Sequence, residues 1–190
     1  KPTRGRTPAG PFIGEAWSGF AVEHVLTRSV RDSAAVLDAT HGPDRGSPDL
    51  LPAPGGTYLA ASERPPGRLR IAVSRSPMLG KAVAPDVVAA FDDAVRLLVG
   101  LGHDVFEAAP PVEREAFSMA FLTALAGELR ADIEFTAKSF GVKIRPGDYD
   151  ASSFGMGLLG QGFTAGELIA AHRYLGLAAR SILGFFDDVD

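Results

Sequence analysis

The stretch 69-LRIAVSRSPMLGKAVAPDVVAAFDDAVRLLVGLGHDVFEA-108 decides the fold class. Leu69, Ile71 and Val73 alternate with Arg70, Ala72 and Ser74, the two-residue period of a strand. Pro85 suits the first turn of a helix, because its fixed φ is helical and its missing N–H would have had no partner there. Val88, Phe91, Val95 and Leu98 then recur at helical spacing, and Gly102 ends the run. HDVFEA is a second short strand, closed by Pro110. A connection holding a whole helix cannot be a hairpin, so the two strands are expected to run parallel, joined by a right-handed crossover.

Upstream, 27-TRSVRDSAAVLDATHGP-43 reads as a helix. Ser29 and Asp32 form an acidic variant of the capping box. Val30, Ala34 and Leu37 share one face, and Gly42 with Pro43 stops the helix. Arg28 or Arg31 is expected to pair with Asp32. Residues 1–20 read as an ordered loop with a short strand around Gly19 to Val22, and Trp17 as a core or contact aromatic. Residues 43–67, dense in Pro, Gly and Asp, read as a long connection wrapping the surface.

Downstream, Val112 to Phe140 is helical, with Phe117, Ala120, Phe121 and Ala124 on one face. Small residues cluster at Ala124, Ala126 and Gly127, which suits close helix packing or room for a ligand, packing being preferred. The run 152-SSFGMGLLGQGF-163 contains the letters G-x-G-x-x-G, but no strand leads into it and no ribose-binding acid follows. It reads as a short helix with close contacts. Thr164 and Glu167 form a second capping box, and Leu168, Ala171, His172, Leu175, Ala179, Ile182 and Phe186 mark one apolar face. FFDDVD then leads towards a further strand.

The 190 residues are 46% hydrophobic and 22% charged, ordinary for a globular chain. A net charge of −4 with no clustered cations argues against nucleic acid. No apolar run approaches a bilayer span, so no membrane partner is expected. The absence of cysteine excludes disulfides and thiolate chemistry within the chain and fits a cytoplasmic setting. His24, His41, His103 and His172 lie far apart without metal spacing, no Ser sits in a nucleophile elbow, and no phosphate loop is present. No metal, no cofactor and no catalytic constellation is read from the residues alone.

Two segments carry a resemblance. KPTRGRTP (Lys1, Pro2, Thr3, Gly5, Arg6) and HVLTRSVRDSAAVLDATHGPDRGSPD (with Arg28, Ser29, Val30, Asp32 and Ala34 as its core) resemble the amidase signature family, most closely its cyclic-amide branch. The likeness extends in order through FFDDVD. It implies an α/β class, a mixed sheet covered by helices, as part of an α/β/α fold. It implies a protein acting on a small amide substrate through a nucleophilic Ser, a bridging Ser beside a cis peptide, and a Lys base. All three would precede Lys1, so no catalytic residue is expected in this chain. The resemblance places Ala126 on a helix bordering the acyl pocket. Residues 1–190 are accordingly expected to form a single partial domain, truncated at both ends, inactive alone and prone to self-association. The alternatives are a stand-alone structural or binding domain, or part of a glutamine-dependent amidotransferase subunit.

Overall fold

The computed structural model describes residues 1–10, 15–77 and 80–190. The part of the expected N-terminal loop that falls on residues 11–14 lies outside them. The chain divides into two compact units, Lys1–Pro66 and Gly67–Asp190.

In the first unit, helix α1 (Val30–Thr40) starts where the capping pattern put it, with the Ser29 hydroxyl accepting from Asp32 N–H at 3.0 Å. Ala34 is buried and Leu37 half-buried, but Val30 is exposed, so the apolar face is narrower than its spacing predicted. Among the described residues no ion pair joins Arg28 or Arg31 to Asp32. The expected strand at Gly19–Val22 is replaced by a tight turn over Ala16–Gly19, in which Trp17 and Ser18 hold left-handed backbone at φ 50° and 49°. Side chains other than Gly adopt that region at a cost of roughly 1–2 kcal/mol. The long connection after α1 is not wholly irregular: α2 (Tyr58–Ser62) forms within it, capped by the Thr57 hydroxyl.

In the second unit, β1 (Arg70–Val73), α3 (Pro85–Gly100) and β2 (Asp104–Glu107) build the predicted unit. The strands are parallel, Arg70 opposite Asp104 and Val73 opposite Glu107. Of the stripe read on α3, Phe91, Val95 and Leu98 are half-buried, but Val88 is exposed. Asp190 lies against the far edge of β1: its N–H donates to Arg70 O, and its carboxylate accepts from Arg70 N–H, both at 2.9 Å. A short parallel sheet with helices is therefore the α/β arrangement read from the alternation and the crossover.

α4 (Arg114–Phe140) runs unbroken through Gly127 and ends at Gly141, whose left-handed φ of 63° lets Val142 N–H return to Ala137 O. α5 (Ala151–Gly160) and α6 (Ala165–Phe185) pack on it. Their contact is made by small residues. A Cβ added at Gly160 would overlap the Ala126 carbonyl and stand 2.9 Å from Arg130 Cβ; one at Gly157 would stand 2.5 Å from Ile133 Cδ1. The apolar face read on α6 is only partly covered, with Ala171 and Leu175 buried but Ala179 and Phe186 exposed.

Both helices start on side-chain caps. Asp150 accepts from Ser152 and Ser153 N–H at 3.0 Å. At Thr164 the full box closes, Glu167 N–H donating to the threonine hydroxyl and Thr164 N–H donating to the Glu167 carboxylate.

The accessible surface is 13,484 Å². A compact protein of this mass exposes about 8,700 Å², and even two separate compact bodies with the lengths of these units would expose about 10,300 Å². The fully enclosed apolar side chains among the described residues are Ala124 and Ala126, while Leu26, Leu97, Phe135, Phe140 and Leu177 are each more than half exposed. The chain thus exposes about 3,000 Å² more than two separate compact bodies of these lengths would.

Two predictions follow from the seam and the caps. Gly160→Ala should lower the stability of the second unit by about 1–3 kcal/mol through overpacking. Gly155→Ala in the same helix, where an added Cβ meets nothing within 4 Å, should be neutral or stabilising by up to about 1 kcal/mol; denaturant midpoints compare the two. The Asp150 carboxyl is held below its ordinary value first by the Ser153 hydroxyl, then by the Ser153 backbone N–H. Glu167 is held low by the Thr164 backbone N–H and then its hydroxyl. Lowered folded values mean that both contributions are complete above the unfolded carboxyl range and fade as pH falls through the folded values. Amide resonances of Ser153 and Thr164 should therefore move below about pH 4, and Glu167→Gln should remove that movement at Thr164.

Candidate functional site

Three features have the composition of sites. The first is a polar hub in the first unit. Asp38, on the last turns of α1, receives Tyr58 N–H at 2.6 Å and Leu59 N–H at 3.0 Å on its two carboxylate oxygens. The Tyr58 ring stands edge-on to His41 at 5.5 Å, with the Arg6 guanidinium 6.0 Å from its centroid. Arg6 also donates to Pro52 O at 2.9 Å, and its own carbonyl accepts from Gly42 N–H. One arginine of the KPTRGR segment thus binds the end of α1, the following loop and α2. This ties the parts of the first unit together, while the Tyr58 hydroxyl is buried without a hydrogen-bond partner among the described residues.

The second feature lies at the carboxyl end of β1. Arg75 pairs with Asp92 at 2.7 Å and Glu107 at 3.8 Å, and its guanidinium lies 5.3 Å from the Phe91 ring centre. The hydrogen bond and charge of Asp92 hold the guanidinium above its ordinary value. Beside it, Ser74, Ser76, Pro77, Val87, Val88 and Phe91 line part of a hollow of about 210 Å³. Crevices at the carboxyl ends of parallel strands are where α/β sheets commonly bind ligands. This hollow is apolar, and Arg75 is already matched by two carboxylates.

The third is the small-residue seam. Ala126 is fully buried on α4, and its carbonyl lies under Gly160. Close packing therefore accounts for its size. The neighbouring Gly127 meets Leu168 of α6, whose methyl would stand 3.2 Å from an added Cβ.

Ser29 and Ser33 spend their hydroxyls on a helix cap and on His24 Nε2, the latter at 2.8 Å, and Ser47 and Ser62 donate to backbone carbonyls. None of these four meets a lysine. Among the described residues no group of three His, Asp or Glu side chains could hold a metal ion, and no helix is long and apolar enough to cross a membrane.

The parallel strand–helix–strand unit and the helices after it are an α/β arrangement, and similarity to known proteins says to which family the chain belongs. The sequence model of the Amidase family matches residues 1–190, and the chain belongs to the amidase signature family. It is 32% identical over 160 residues to 6-aminohexanoate-cyclic-dimer hydrolases of Pseudomonas sp. strain NK87 and of Paenarthrobacter ureafaciens, which covers 82% of this chain and 32% of each relative. An acylamidase of Rhodococcus erythropolis is 36% identical over 110 residues, covering 58% of this chain and 23% of that protein. The solved structure of 6-aminohexanoate cyclic dimer hydrolase, also determined in complex with substrate, superposes with a TM-score of 0.85 at 29% identity over all of this chain and 40% of its own. The chain thus spans about a third of the length of those two hydrolases.

Sequence reasoning missed Asp38, Tyr58 and Arg75. Their partners stand 16 to 52 positions away, beyond the reach of any local pattern. The available signals were weak: an acid ending α1, and an arginine just past a strand.

Asp38→Ala should expose the Tyr58 and Leu59 amides to rapid hydrogen exchange and cost the first unit about 1–2 kcal/mol, whereas Asp38→Asn should lose less because one acceptor survives.

Proposed function

We propose that these residues form the scaffold and pocket-wall part of an amide hydrolase, acting on a small linear or cyclic amide. The observation that carries the reading is the whole-length superposition on a hydrolase solved with its substrate. In this reading the nucleophilic serine, the bridging serine, the lysine base and the oxyanion donors come from polypeptide outside the 190 residues, ahead of Lys1 in the family's order. Ala126 sets how closely α5 approaches α4 and so fixes the acyl side of the pocket. The protein works in the cytoplasm, and the exposed apolar surface of the isolated chain drives self-association.

Removing a serine nucleophile alone costs a hydrolase on the order of a millionfold in turnover, and here the base and oxyanion donors are supplied from elsewhere too. The pure chain should therefore give no turnover of aryl amides or of linear and cyclic amide oligomers. A chimera in which the 190 residues replace the matching segment of 6-aminohexanoate cyclic dimer hydrolase should hydrolyse amides. Sustained turnover by the isolated chain, or a folded chimera without any, contradicts the proposal.

A further inference from the structure

Past the end of α4 the chain gathers charges that do not meet. Gly141, Val142, Lys143, Arg145, Asp148 and Tyr149 line part of a hollow of about 670 Å³, a size usual for small-ligand clefts. A turn shapes its rim, Asp148 N–H donating to Arg145 O at 3.1 Å. Tyr149 is half-buried, and its ring stacks on Phe154 with centroids 6.1 Å apart, which holds it as a wall. Phe140, the last residue of α4, stands about 21 Å along the helix from Ala126, so this hollow and the small-residue seam are separate places.

Among the described residues the side chains of Lys143, Arg145 and Asp148 form no ion pair and no hydrogen bond. Charges as close in sequence do pair elsewhere on the chain, Arg96 with Asp93 and Arg130 with Glu134. The lining thus carries two unmatched cations and one unmatched carboxylate, together with the negative end of the α4 dipole at Gly141. A simple anion bound here would face Asp148, and a simple cation would face Lys143 and Arg145; like charges across an interface are unfavourable. A ligand bearing both charges meets each group with its opposite. Because the protein's own opposite charges are too far apart to pair, the ligand's must be separated by several atoms, which an α-amino acid does not offer. Guanidinium and ammonium groups suit a carboxylate, and Val142 and Tyr149 offer apolar surface to the methylenes between the two charges.

We propose that this hollow binds an ω-amino carboxylate, its carboxylate held by Lys143 and Arg145, its ammonium by Asp148 and the carboxyl end of α4, and its methylene chain along Tyr149. The inference stands on the charges of the hollow and not on hydrolysis, so binding and turnover can be read separately.

The chain is titrated with 5-aminopentanoate, pentanoate and pentylamine at neutral pH and low salt, where exposed charges are least screened, and the amide resonances of Lys143, Arg145 and Tyr149 are followed. 5-Aminopentanoate should saturate their shifts with a Kd about tenfold below those of the other two. Lys143→Gln and Arg145→Gln should each weaken it by about tenfold, and Asp148→Asn should weaken it while tightening pentanoate. Lys138→Gln, at the same helix end but outside the lining, should change nothing. All four side chains are exposed, so the variants should keep the remaining resonances of the parent. Equal affinity for pentanoate and 5-aminopentanoate would reduce the hollow to an anion site and overturn the proposal. Equal affinity for pentylamine, or no saturable shift with any of the three, would overturn it too. A loss in Lys138→Gln as large as in Arg145→Gln would assign the binding to diffuse surface charge and overturn it as well.

Discussion

The Gly160 backbone lies against the Ala126 carbonyl, and the helical half of the second unit is organised by that approach. With no side chain between them, α4 and α5 touch almost backbone to backbone. Helix packing normally keeps axes 8–10 Å apart according to the side chains at the contact, so a glycine opposite an alanine selects the tight end of that range. Gly157 against Ile133 repeats the arrangement three residues earlier. The contact draws its attraction from many short van der Waals pairs rather than from burial of large apolar groups.

That economy explains the character of the whole chain. Its most enclosed apolar residues are alanines, with Ile133 and Leu175 beside them. Several larger apolar side chains on α3, α4 and α6, Leu97, Phe135 and Leu177 among them, are exposed. Hydrophobic burial scales with the apolar area removed from water, so these side chains represent stabilisation that the 190 residues by themselves do not collect. Directional polar contacts take on more of the ordering instead: Asp38 and Arg6 in the first unit, Asp150 and the Thr164–Glu167 box in the second, and the two bonds between Asp190 and Arg70 at the sheet edge.

The elements legible in the sequence were those fixed by local chemistry. Ser29 and Thr164 sat three residues before acids, and both cap helices. Pro85 opened α3 and Gly102 followed its end. The alternation around Ile71 and in HDVFEA gave two strands whose parallel pairing followed from the helix between them. The KPTRGR and TRSVRDSA segments carried the family likeness. The strand expected at Gly19–Val22 failed because the backbone there turns through left-handed Trp17 and Ser18, a conformation that residues without glycine's freedom rarely advertise. α2 was hidden because its first turn is secured in part by Asp38, twenty positions earlier.

What the sequence by itself determined was the kind and order of the elements and the family to which they belong, because capping, periodicity and short motifs act over a few residues. Tertiary structure alone decided which apolar residues of α3 are covered, that Ala126 serves the α4–α5 approach, and which side chains Arg6 and Arg75 meet. Each of those outcomes depends on distances between groups far apart in the chain, and side-chain period along one helix cannot state what stands opposite it.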